Sequence, residues 1–446
     1  MRFSVARALL AHTLPILIAQ LASIGMMVVD TVVLGHVGSD DLAAVAIGGG
    51  LHISLLFALI GVVQAVGPLA ARQHGAGENE ALPVLLQQSI WLALLLSLPG
   101  VMLLLLPDPL LMLVDVPLAV ADKVRRYLAC LAFGVPAALI YRALHAFCNA
   151  LGRPRVLMVI GVLALLLHTL LAWGLATQPW WAGRALGVLG CALSNVVISW
   201  LAMLAAIAYL QWGPLASLRL FAAWQHPSWI YWRPMLRLGV PMGVSNFVEI
   251  TAFTLVSLLV SPLGADVVGA HRISANLSAL AYMLPLSLGM ATLSAVGRAV
   301  GARDWGSARE IVRAALCLAG ASSILLGMGM WLGRDWLVAG YTDVLDIRLA
   351  AAALIGYIAI YQFFDALQTI AGQALRAYHV TFLPMLIQML CFWGVGLFGG
   401  WWFCFRSQPV MGVAGFWLAA VLSLILAAGL LLPLLGRVTR PLETSP

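Results

Sequence analysis

The stretch WGPLASLRLFAAWQHPSWIYWRPM, residues 212–235, stands almost at the middle of a chain of 446 residues, and its reading decides the fold. Trp212, Trp224, Trp229, Tyr231 and Trp232 alternate there with Arg, His and Pro. Rings with one polar edge prefer the headgroup level of a bilayer. The segment is therefore expected to lie along the cytoplasmic surface and to link two halves.

On both sides of it the chain is apolar. Hydrophobic residues make up 63% and charged residues only 9%, with a mean hydropathy of +1.01. Soluble domains carry about 25% charged residues, so the composition predicts a polytopic membrane protein. A run of about 20 apolar residues crosses the hydrocarbon core as a helix. Six such runs precede the linker, near 8–35, 43–70, 84–106, 126–148, 156–177 and 187–210. Six follow it, near 236–261, 267–296, 310–333, 348–375, 380–404 and 411–435. The expected organisation is thus an N-terminal lobe over 1–211, the linker over 212–235 and a C-terminal lobe over 236–446.

Twelve spans return the chain to its starting side. The termini and even-numbered links hold fifteen basic residues, among them Arg2, Arg153, Arg298 and Arg440; the odd links hold eight, among them Lys123, Arg184 and Arg334. The positive-inside bias then places both termini in the cytoplasm. The net charge of +7 is dispersed between apolar runs, which suits topology and argues against nucleic acid as a partner. Six cysteines sit in or beside apolar segments, without C-x-x-C or Cys–His spacing. Neither a disulfide framework nor a metal cluster is expected.

The two halves repeat. A shift of 226 superposes Leu10 on Leu236, Pro15 on Pro241, Gly38 on Gly264, Asp40 on Asp266 and Arg72 on Arg298. Later GVLGCALS at 187–194 answers GVAGFWLA at 412–419. Six spans per half give two parallel six-helix bundles, and repeat-built transporters place their sites between or within such halves.

Of the 17 acidic residues, Asp30, Glu249 and Asp365 fall well inside spans. A charged carboxylate at a helix centre costs about 2.5–3.5 kcal/mol on insertion scales. Each must therefore be protonated, bind a cation or face water. All three sit on polar stripes at three- and four-residue steps. Tyr361, Asp365, Gln368, Thr369 and Gly372 form one stripe; Ser245, Asn246 and Glu249 a second; Gln20, Ser23, Met27 and Asp30 a third. Such alignment suits a cavity wall. A buried acid fastening helices by hydrogen bonds is the alternative reading.

A carboxyl in a low-dielectric site can hold a proton near neutral pH. Alternatively Glu249 and Asp365, with Tyr361, Asn246 or carbonyl oxygens, give the oxygen shell that a hard cation such as Na⁺ takes. An emptied site attracts an organic cation, so two cations that exclude each other move in opposite directions. Within the other spans, His168 is a candidate for proton movement, histidine being the usual side chain for that task, and Ser194 and Asn195 are candidates to complete a polar cluster in the N-terminal half. Met27 and Met283 offer adaptable apolar surface for a guest.

The segments MMVVDTVVLGHVG (26–38), LGVPMGVSNFVEI (238–250), GAHRISANLSALAYMLPLSLG (269–289) and YQFFDALQTIAGQALRAY (361–378) together resemble the multidrug and toxin extrusion (MATE) family, in its NorM-type bacterial branch. The resemblance runs from about residue 8 to 435. It implies an all-α, V-shaped pair of six-helix lobes in the bacterial inner membrane, exporting amphipathic, often cationic drugs and dyes against inward Na⁺ or H⁺. It also implies that Glu249 and Asp365 form the cation site of the C-terminal lobe, with Tyr361 beside them, and that Asp30 is a second protonatable seat. One departure stands out. In LLLHTLLA the chain carries His168 and Ala172 where the family tends to show Asn or Asp.

No Walker A sequence, G-x-G-x-x-G turn or H-E-x-x-H helix is present, so neither ATP use nor enzymatic chemistry is expected, and no cofactor beyond the coupling ion. A monomer is the expected functional unit. Two rivals stay open: a flippase for lipid-linked precursors, which calls for further spans and a basic cavity, and a passive channel, which calls for a symmetric ring of acids. Under the 226 shift Asp30 meets Val256 and Glu249 meets Ser23, so the halves differ at the acids.

Overall fold

The computed structural model describes residues 3–111, 118–178 and 185–439. Arg2, Arg184 and Arg440, counted above for orientation, lie outside the described residues. All regular structure among the described residues is helical. The first half contains α1 (Phe3–Val37), α2 (Ser39–Val63), α3 (Val66–Gly75), α4 (Leu82–Leu105), α5 (Leu118–Ala132), α6 (Val135–Ala150), α7 (Pro154–Thr177) and α8 (Val188–Trp212). The second contains α9 (Trp229–Val260), α10 (Ala265–Gly301), α11 (Trp305–Leu332), α12 (Leu345–Ala377), α13 (Phe382–Met389), α14 (Gly399–Phe405) and α15 (Val413–Thr439).

Among the described residues, eleven helical runs are long and apolar enough to cross a bilayer, and the bent pair α5–α6 completes twelve. The fourth expected span is the bent one. Instead of one helix over 126–148, two helices meet at 50°. Pro136 follows the break; it has no amide hydrogen to give, and its ring crowds the preceding turn. Pro15 and Pro241 lie inside unbroken helices.

The linker is shorter than expected. Trp229, Tyr231 and Trp232 belong to the first turn of α9. What remains is tied down by two adjacent glutamines of α4. Gln87 Nε2 donates to the Leu220 carbonyl at 2.9 Å while its Oε1 accepts from the Gln225 amide at 2.9 Å. Gln88 repeats the pattern on the His226 carbonyl at 2.8 Å and the Ser228 amide at 3.0 Å. The four bonds satisfy both amides and four backbone groups of an otherwise irregular segment.

By internal packing the chain forms two compact units, one of residues 14–243 and one of residues 1–13 with 244–446. In the first unit, Leu82, Leu86, Leu128, Leu139, Leu144 and Phe147 are buried in one apolar core. Helices approach closely at glycine. A Cβ on Gly190 would lie 2.5 Å from the Ala176 nitrogen, and one on Gly243 would strike the Ala58 carbonyl oxygen. Small residues of this kind let membrane helices pack backbone to backbone. Lys123, the one lysine of the sequence, pairs with Asp41 at 2.5 Å, and Asp41 also accepts from the Val188 amide at 2.9 Å. By contrast Leu163, Leu166 and Leu170 of α7 are exposed along one helix face, as suits contact with lipid.

In the second unit, Ala270, Ile273, Leu354, Ile355 and Ile358 pack α10 on α12, and Gln362 Nε2 donates to the Ser278 carbonyl at 2.9 Å across the same seam. Asp304 caps α11 by accepting from the Ser307 amide at 2.9 Å. The side chain and amide of Ser307 hold the Asp304 carboxyl below its ordinary value. Between α13 and α14, residues Leu390–Phe398 adopt a π-helical winding. The wider turn misaligns the backbone ladder, and Ser423 Oγ of α15 donates to the Cys391 carbonyl at 2.8 Å. π-segments of this kind occur mostly beside functional sites.

Candidate functional site

The second unit contains a pocket, part of it open to the exterior. Glu249 of α9 and Asp365 of α12 both line it, as does Tyr361 one turn before Asp365. The polar stripe of α12 faces inward: Asp365 is 3% exposed, and Gln368 and Thr369 are buried with it. Gln368 Nε2 donates to Asp365 Oδ1 at 3.0 Å and contacts Thr369 Oγ1 at 3.2 Å, while its own Oε1 accepts from Gln388 Nε2 at 3.2 Å. One carboxylate oxygen of Asp365 is thus held in place by a relay of amides. Glu249 is half-buried, and the Tyr282 hydroxyl of α10 reaches both it and Thr369.

The rest of the wall is aromatic. Phe253, Phe392, Phe416 and Trp417 line the pocket. Tyr361 stands edge-on to Phe253 at 6.3 Å and to Trp417 at 6.1 Å between ring centroids. His271 packs on Trp417 at 5.8 Å and faces Ser257 Oγ through Nε2 at 3.3 Å. Aromatic faces attract cations, so the pocket joins two carboxyls to a wall suited to a flat or quaternary organic cation. Those carboxyls and the Tyr361 hydroxyl are oxygen donors, the ligand type that a hard cation takes.

The first unit brings four separate residues into contact. His168 Nε2 lies 3.0 Å from Asp30 Oδ1, and Asn195 Nδ2 donates to Asp30 Oδ2 at 2.9 Å. His168 Nδ1 lies 2.9 Å from Ser194 Oγ. His168 is fully buried and Asp30 is 7% exposed. Here α1, α7 and α8 meet in a buried polar cluster.

Several expectations change in detail. Asn246 was expected to offer its oxygen to a cation beside Glu249; that oxygen accepts from Arg376 Nη2 of α12 at 3.3 Å. Met27 is 53% exposed, and neither it nor Met283 lines the pocket. Sequence reasoning did not single out Trp417, Phe392 or Phe416, because apolar rings in apolar spans give no contrast. His271 stands in the quoted segment 269–289, with no role assigned to it there. Gln388 and Ser423, polar residues in otherwise apolar spans, were the signal available for the wall formed by α13–α15.

Comparison with known proteins gives a consistent family. The MatE family matches residues 15–173 and 241–402. The two matched stretches begin 226 residues apart, which is the repeat read from the sequence. A probable multidrug resistance protein NorM of Aromatoleum aromaticum is 46% identical over 430 residues, covering 96% of this chain and 93% of its own. Its namesake in Chromobacterium violaceum is 36% identical over 98% of this chain and 94% of its own. Among solved structures, the eukaryotic MATE transporter AtDTX14 superposes with a TM-score of 0.87 at 19% identity over 97% of this chain and 95% of its own. The Vibrio cholerae MATE transporter VcmN in its bent form gives 0.87 at 18% over 98% and 97%. With its duplicated match and its near-full-length relatives, the chain belongs to the multidrug and toxin extrusion family, in the NorM-type bacterial branch.

Proposed function

We propose that this multidrug efflux transporter is a secondary antiporter, exporting amphipathic organic cations from a bacterial cell in exchange for inward Na⁺ or H⁺. The observation that carries the reading is the pocket on which Glu249 and Asp365 both open beneath an aromatic wall. Two carboxyls close together in a low-dielectric site favour capture of a positive charge. A proton or an Na⁺ ion neutralises them; so does the ammonium of a drug or dye. The two occupants compete for the same charge, and that competition obliges the transporter to exchange one for the other.

Glu249 and Asp365 hold the coupling ion, with Tyr361 beside them, and Gln368 and Thr369 orient Asp365. Asp30 is a second, protonatable seat. The aromatic, acidic wall repels the phosphates of a lipid-linked precursor, which disfavours the flippase reading. By the positive-inside bias both termini face the cytoplasm across the inner membrane, and each lobe carries its own polar site, so a monomer suffices.

The test is dye efflux from proteoliposomes with the Na⁺ gradient and the pH gradient imposed separately, using ethidium. Efflux driven by at least one gradient, and competitively inhibited by the same ion on the dye side, is expected. Dye flux indifferent to both gradients would sink the antiport reading.

A further inference from the structure

The N-terminal cluster holds one more contact than a fixed hydrogen-bond chain needs. Ser194 Oγ lies 2.9 Å from His168 Nδ1 and also 3.2 Å from the carbonyl oxygen of the same His168. A hydroxyl has one hydrogen to give and can accept as well. It can therefore donate to the carbonyl while accepting from Nδ1–H, or donate to an unprotonated Nδ1. We propose that Ser194 is a rotor that keeps the Asp30–His168 pair fully hydrogen-bonded in two states differing by a single proton, making the cluster a one-proton seat.

In the loaded state the Ser194 hydroxyl donates to the His168 carbonyl and accepts from Nδ1–H. One further proton then lies between Nε2 and Asp30 Oδ1, which are 3.0 Å apart. It is held as imidazolium with carboxylate or as imidazole with carboxylic acid. In the unloaded state the hydroxyl turns to donate to Nδ1, and Nε2–H donates to the Asp30 carboxylate. The Asp30–His168 pair thus carries one proton instead of two, and the difference is exchanged with water. Asn195 Nδ2 donates to Asp30 Oδ2 in both states, holding the carboxyl still. No heavy atom needs to move, and every polar atom of the chain has a partner throughout.

The surroundings leave little else to take the charge. Besides His168 and Asn195, Asp30 is faced by Tyr127 of α5 and the Cys191 thiol of α8, and Asp41 of α2 lies toward Cys191. These groups supply no second cation. Both Asp30 oxygens are already engaged by N–H donors, which a metal ion would have to displace. The seat is therefore selective for the proton over Na⁺, whichever ion the C-terminal pocket takes. His168 and Ser194 act through Asp30 and are positioning residues.

The inference rests on the antiport reading and is tested by the pH midpoint of dye efflux in proteoliposomes, from about pH 5.5 to 8.5. Ser194→Ala removes a charge-assisted bond from the loaded imidazolium but only a neutral one from the unloaded ring. Proton affinity should fall about tenfold, moving the midpoint about one unit toward acid. Ser194→Thr should restore it. If the Ala variant does not accumulate, Ser194→Cys, with a weaker acceptor, should shift it in the same direction. A midpoint in Ser194→Ala or Ser194→Cys that coincides with the parent overturns the rotor. Coupling that survives Glu249→Gln and Asp365→Asn instead removes the C-terminal seat and leaves the rotor standing, so the two failures are separate.

Discussion

Asp365→Asn separates what this residue does for the fold from what it does for transport. In the fold, the carboxylate accepts one bond at 3.0 Å from Gln368 Nε2, and Gln368 is held in turn by Gln388. An asparagine at 365 can present its carbonyl oxygen to the same donor. The relay persists, and the expected loss of stability is within about 1 kcal/mol, the net worth of one hydrogen bond. The loss at the seat is larger. A carboxylate facing a monovalent cation about 4 Å away contributes about 4 kcal/mol at an effective dielectric constant of about 20. Its removal weakens cation capture by about a thousandfold.

Two measurements on one preparation check this. The thermal midpoint in detergent should stay within about 1–2 °C of the parent, as expected for a chain this long. Gradient-driven ethidium efflux from proteoliposomes should fall to the passive leak, and Asp365→Glu should recover part of it. Parental efflux by a well-folded Asp365→Asn protein would refute the assignment of the charge to this residue. A collapse in stability would instead show that the carboxylate is structural, fastening α12 to its neighbours.

Two further outcomes follow from neighbouring contacts. Arg376 donates to Asn246 Oδ1 at 3.3 Å on the stripe of α9 that carries Glu249, one turn away, and its charge is directed toward Glu249. Arg376→Gln removes a resident counter-charge, so the coupling-ion concentration for half-maximal efflux should fall about tenfold, with Arg376→Lys close to the parent; an unchanged value contradicts this. Gln88→Ala deletes the bonds to His226 and Ser228 and leaves two backbone groups of the linker without side-chain partners. A cost of about 1–3 kcal/mol is expected, read as faster proteolytic cleavage between Trp212 and Trp229, with a cleavage rate equal to the parent as the refuting result.

What could be read beforehand depended on whether the physical signal was local. The stripe Tyr361–Asp365–Gln368–Thr369 is a matter of helical period, and α12 buries that face, with Tyr361 and Asp365 on the pocket. The 226 repeat is likewise local in each half and recurs in the family match. Contacts between helices were not legible in this way. Asp30 and His168 are separated by 138 positions, and nothing in either segment tells that the two side chains meet. Asn246 has the right spacing to serve Glu249, but spacing does not tell that an arginine on another helix claims its oxygen. Met27 shares the Asp30 stripe yet is exposed, because a stripe is wider than the face that packs. The π-helical winding over 390–398 had no signal in composition.

The two lobes inherited one plan and carry different chemistry on it, and the difference follows from how each acid is surrounded. Both oxygens of Asp30 are taken by donors from α7 and α8, so anything arriving there must be as small as a proton. Asp365 has one oxygen held by Gln368, and it shares with Glu249 a pocket that is partly open to the exterior. Tyr361 and Trp417 line the same pocket, so a cation entering it meets their rings. Equal seats would let drug and ion enter either lobe, and nothing would force them to exchange. On the proposed antiport reading, a saturated seat in one lobe and an open one in the other confine the competition to the C-terminal pocket. The N-terminal pair is then left to carry the proton, and the asymmetry at the acids is what would turn a duplicated helical bundle into an exchanger.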